Sequence, residues 1–147
     1  MAISHVDSTS ARATVNGDVT VTAPTGIQDD DLLLAWYLHT DNDAAPVTST
    51  GFTQIESGVE DALGQDTTFA ALRKIASSES GNYTLSGDSP ISPLTSNGVV
   101  MCLRGVDTTT PIDTTYVQGS HYLKQEDSAG TTNPAITTTT DGAWVVL

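Results

Sequence analysis

The feature that most constrains this chain is the run Leu32-Leu33-Leu34-Ala35-Trp36-Tyr37-Leu38, its longest uninterrupted apolar stretch. The acidic turn Asp29-Asp30-Asp31 precedes it, and the polar Thr40-Asp41-Asn42-Asp43 follows His39. Seven apolar residues between turn signals fit a central strand buried on both faces. They are too few to span a bilayer, which takes about 20. Alternation puts Leu32, Leu34, Trp36 and Leu38 on one face, and Leu33, Ala35 and Tyr37 on the other.

The surrounding sequence is written in the same style. Threonine supplies 24 of 147 residues, and β-branched side chains lose rotamer freedom in helices but sit well on a pleated surface. Residues 3–6 and 13–15 read as short strands around the polar 7–10, and Asn16-Gly17-Asp18 as a tight turn. Residues 18–23 alternate Val and Ala with Thr until Pro24-Thr25-Gly26 ends the ladder. Further strands are expected at 32–39, 52–56, 67–76, 82–86, 98–104, 114–118, 135–140 and 143–147. Residues 41–51, 57–66, 87–96 and 119–132 read as connections. Phe69, Leu72, Arg73 and Ala76 also have helical spacing, but the strand reading fits the neighbours better. About ten short strands without a credible helix imply an all-β fold, an antiparallel β-sandwich of jelly-roll type. The length predicts a single domain over residues 1–147.

Charge narrows the partners. Five basic against eighteen acidic residues give −13, which repels a phosphate backbone and an anionic membrane surface. Neither nucleic acid nor membrane is therefore an expected partner. The one cysteine, Cys102, lies in Val99-Val100-Met101-Cys102-Leu103 and reads as a small buried apolar residue. Met1-Ala2-Ile3-Ser4-His5 carries no basic or apolar leader pattern. Asn82-Tyr83-Thr84 matches a glycosylation sequon, a pattern that means little without a secretory route.

Catalytic signatures are missing: there is no Gly-x-Ser-x-Gly elbow, phosphate-cradling glycine loop or His-Glu-x-x-His. With eighteen acids, some carboxylate pair suited to glycoside hydrolysis is always available, and none stands out. His5, His39 and His121 share no ligand spacing and read as surface or strand-end residues. Asp41-Asn42-Asp43 offers oxygen ligands without the rest of a calcium loop, and Asp29-Asp30-Asp31 reads as a turn capping the next strand. No metal, cofactor or enzymatic activity is expected. Tyr116, His121 and Tyr122, in the polar segment 114–132, are the candidate ligand or partner surface, where aromatics with a polar handle suit a glycan. Both tryptophans lie in apolar strands and read as core.

Four motifs in order carry a resemblance: Val19-Thr20-Val21-Thr22-Ala23-Pro24-Thr25-Gly26, Asp31-Leu32-Leu33-Leu34-Ala35, Thr50-Gly51-Phe52-Thr53-Gln54-Ile55, and Arg104-Gly105-Val106-Asp107 followed by Pro111-Ile112-Asp113. Together they resemble a β-sandwich domain of bacteriophage and prophage virion proteins, found in capsid-decorating, tail and fibre proteins. The similarity covers roughly residues 15–147 and reports turns and core strands. It implies a non-enzymatic virion protein that docks on capsid or tail proteins and self-associates, commonly as a trimer. The alternative expectation is a carbohydrate-binding receptor module. Two departures stand out. Phe52 occupies the place where the family usually has Trp, and the sequence ends at Leu147, where the family usually continues for several strands. Either a partner chain completes the edge at 143–147, or the sequence is a fragment of a longer protein.

Overall fold

The computed structural model describes residues 2–13, 18–41, 47–62, 65–87, 95–112 and 142–144. Among the described residues there are strands and no helix. The strands are β1 (Ser4–Ala13), β2 (Val19–Thr22), β3 (Leu32–Asp41), β4 (Val47–Thr48), β5 (Thr53–Ala62), β6 (Gln65–Ile75), β7 (Asn82–Gly87) and β8 (Ser96–Arg104). They form a five-stranded sheet in the order β1-β8-β3-β6-β5 and a three-stranded sheet in the order β2-β7-β4. Every pairing among the described strands is antiparallel.

The order has a simple logic. β1 pairs with β8, β2 with β7 and β3 with β6, as in one long hairpin folded back on itself. The further pairs β3–β8 and β4–β7 close that hairpin into two sheets. This is the nested pairing of a jelly roll, with β5 bonded to β6 in the first sheet instead of to β4 in the second.

Alternation decides which side chains meet between the sheets. Leu33, Ala35 and Tyr37 of β3 pack with Val19 and Val21 of β2 and Tyr83 and Leu85 of β7, all buried. The opposite face of β3 carries Leu32, Leu34 and Trp36, which cluster with Leu103, Met101 and Ile75. The two-face expectation for this strand is met over its first half. Past Trp36 the outward face opens, and Leu38 is 45% exposed. Gly98 permits the sheets to approach, since a Cβ there would stand 3.0 Å from side-chain atoms of Leu85, Val19 and Val21.

The edges differ from the sequence expectation. β1 is one strand through the polar 7–10 and absorbs a bulge between His5 and Asp7. β5 continues through Ser57 and Gly58, and a short β4 occupies part of the expected loop 41–51. Among the described residues β1 and β5 are the outermost strands of their sheet, where charged and polar residues hide the apolar alternation that marks a strand. Residues 143 and 144 are irregular, not strand, and Trp144 is 49% exposed instead of core. Trp36 is half-buried on the outer face of β3. The expected strands at 114–118 and 135–140 lie outside the described residues.

Candidate functional site

Three of the sequence motifs meet at one end of the sandwich, through Gly26, Asp31 and Arg104. The Asp31 carboxylate is 2% exposed. Arg104, leaving β8, donates to it twice, Nε to Oδ1 at 2.9 Å and Nη2 to Oδ2 at 2.8 Å. The same guanidinium donates to the carbonyl of Gly26 at 2.8 Å. The Gln28 amide donates to Asp31 Oδ2 at 2.8 Å, and the Cys102 thiol lies 3.5 Å from that oxygen. Burial pushes the Asp31 carboxyl upward, but the hydrogen bonds from Arg104, Gln28 and Cys102, with the Arg104 charge, together hold it below the usual range. Burial beside that carboxylate pushes the Cys102 thiol up to about 12.

Neighbouring turns are tied in the same way. Asp7 accepts from the Thr25 amide at 2.7 Å and the Thr25 hydroxyl at 2.8 Å, which hold its carboxyl below the usual range. Asp29 accepts from the Ser78 amide at 2.6 Å, and Ala76 donates its amide to the Asp31 carbonyl at 2.8 Å. Asp107 accepts from the Thr109 amide at 2.8 Å and the Thr110 hydroxyl at 2.9 Å. Glu79 holds Lys74 at 2.8 Å and accepts from the Tyr83 hydroxyl at 3.0 Å. Phe52 meets the Tyr83 ring edge-on at 5.5 Å, with the Lys74 ammonium 6.0 Å from its own centroid. These are ties between turns and strands.

The other end of β3 holds a buried polar row. Ser96, His39 and Thr68 stand opposite one another on β8, β3 and β6, facing the interior. His39 Nδ1 lies 2.6 Å from Ser96 Oγ, and the Tyr37 hydroxyl donates to the same oxygen at 3.4 Å. The Thr68 hydroxyl is buried without a hydrogen-bond partner. A serine beside an imidazole is the beginning of a nucleophile and base, yet Ser96 is fully buried between the sheets and presents no face to a substrate. The row acts on packing.

Of the histidines, His5 is exposed on β1, whereas His39 is 3% exposed on the opposite face of the sheet and at its other end. The surface or strand-end reading therefore fits His5, while His39 is a buried strand-end residue fixed by Ser96. The candidate surface Tyr116, His121 and Tyr122 lies outside the described residues. So do Asn42 and Asp43. Among the described residues no group of three or more His, Cys, Asp or Glu could hold a metal ion. Sequence reasoning took Asp31 as a turn residue and missed its partner, because 73 positions separate it from Arg104.

In comparisons with known proteins, no family model, curated protein or solved structure matches the chain.

Proposed function

We propose that this chain is a non-enzymatic structural domain of a tailed-phage virion, decorating the capsid or belonging to a fibre. It acts by docking on other virion proteins and by self-association. The supporting observation is the Asp31–Arg104–Gly26 tie, which gives an architectural task to three of the motifs behind the resemblance. The Gly51-Phe52 motif packs beside it on Tyr83 and Lys74. The buried polar side chains Asp31, His39 and Ser96 are likewise spent on internal bonds, as suits a rigid body that works through its surface. A charge of −13 keeps such a domain soluble at high local density. Mass spectrometry of purified particles tests the proposal: the chain should be present at a fixed copy number, and absence from the particle would sink it.

One observation favours the second reading, a carbohydrate-binding receptor module: Trp144 is exposed, offering a ring on which a sugar can stack. Glycan-array binding that disappears on Trp144→Ala or Tyr122→Ala, with the fold retained, would select it. Absence of glycan binding would remove it.

A further inference from the structure

The two sheets of this sandwich have different outer faces. On the three-stranded sheet the outward positions are Thr20, Thr22, Asn82 and Thr84, all exposed and all polar. On the five-stranded sheet the outward positions of the three central strands, from the Leu32 row to the Leu38 row, are apolar except for Arg73 beside Leu34 and Asn97 beside Leu38. Leu32, Leu34 and Leu103 are buried there, with Ile3, Ile55 and Val106 packed against them at the Asp31 end. Farther along the same face, Trp36 stands between Val99 and Ala71, and Leu38 beside Phe69. That half stays open, with Leu38 45% exposed. A sheet face of this kind ordinarily meets another protein surface.

The charges at its edges say which surface. β3 is the middle strand, with β8 and β1 on one side and β6 and β5 on the other. Outward on β1, in the row of Asn97, Leu38 and Phe69, stands Arg12, exposed. The matching position on β5 is Gly58, with Glu56 beside it on the outward face in the register. One rim thus carries a guanidinium, Arg12, and the opposite rim a carboxylate, Glu56. A two-fold axis running along β3 lays β1 of one copy over β5 of the other. It brings Arg12 onto the Glu56 side and stacks the Trp36–Leu38 strip on its twin. We propose that the outer face of the five-stranded sheet is a self-association face, and that two copies of this chain pair through it about that axis. Such an interface is isologous, each copy giving the same patch. The inference rests on the self-association proposed above, and names its surface.

Sedimentation of the intact chain over a concentration series is the test, with melting curves to confirm that each variant folds. The parent should show a monomer–dimer equilibrium. Leu38→Glu should weaken it by about a hundredfold, through an unpaired charge placed at the apolar centre. Arg12→Glu should weaken it by about tenfold, and Arg12→Glu with Glu56→Arg should recover most of that loss. Thr22→Glu, on the other sheet, should leave association unchanged. A monomer at every concentration would overturn the proposal, because the strip is then covered by something other than a second copy. A trimer would also overturn it, since an isologous face cannot close a three-fold ring. So would a dimer indifferent to Leu38→Glu and to the charge swap. Any of these results leaves the virion reading standing if the chain is found in particles, whereas absence from particles with the dimer intact fails only that reading.

Discussion

Arg104 grips Asp31 with two parallel hydrogen bonds, and the carboxylate is buried while the guanidinium side chain keeps 37% of its exposure. That asymmetry sets the order of two mutations. Losing Arg104 strands a buried charge, whereas losing the Asp31 charge leaves a guanidinium that water can reach. Arg104→Met should therefore lower the urea midpoint more than Asp31→Asn does. Equal losses would mean that both charges are solvated alike.

The same carboxylate predicts an acid limit. The Asp31 and Glu79 carboxyls sit below their ordinary values in the fold. A depressed folded-state pKa contributes stability above the unfolded value, lost as pH falls toward the folded one. Melting temperature should change little from about pH 7 to about pH 5 and fall steeply below about pH 4. Asp31→Asn should remove part of that fall. A melting temperature rising on acidification would contradict the assignment.

Leu33 and Leu34 are neighbours on opposite faces of β3, and both are buried. Leu33→Ala should cost about 2–5 kcal/mol, from lost burial and the cavity left between the sheets. Leu34→Asp should prevent folding, since it puts a carboxylate at a buried site of the apolar cluster, Arg73 opposite it notwithstanding, in a domain whose whole stability is about 5–15 kcal/mol. Chemical denaturation measures the first and circular dichroism the second. A Leu34→Asp variant that melts like the parent would remove β3 from the centre of the fold.

The Thr68 hydroxyl is buried beside His39 with no partner. Thr68→Val keeps the shape and deletes the orphaned group, so it should stabilise the domain by about 1 kcal/mol. A loss of similar size would show that the hydroxyl is bonded in solution.

Cys102 is buried, and its thiol is pushed up to about 12. The thiolate is the reactive species, so a disulfide reagent near neutral pH should label the protein only as fast as it opens. Rapid stoichiometric labelling of the folded chain would contradict the burial.

What the sequence disclosed was what alternation can carry. The run around Leu34 announced both a strand and its two faces, because central strands bury their side chains. The polar edge strand β1 hid its continuity in Ser8, Thr9 and Ser10, where ladder bonds to β8 supply what apolar side chains do not. Asp31 looked like a turn because its partner is distant in sequence. Trp144 looked like core because an apolar neighbourhood says nothing of which surface remains free. Tyr116, His121 and Tyr122 were chosen for chemistry alone, and they lie outside the described residues.

A particle reconstruction at residue resolution tests the central claim most directly. The account predicts the sandwich at a fixed site in stoichiometric copies, with Trp36 and Leu38 covered by a second copy. A particle lacking the chain would contradict the virion assignment. A docked chain whose Leu38 face stands bare to solvent would contradict the surface through which it is held to associate.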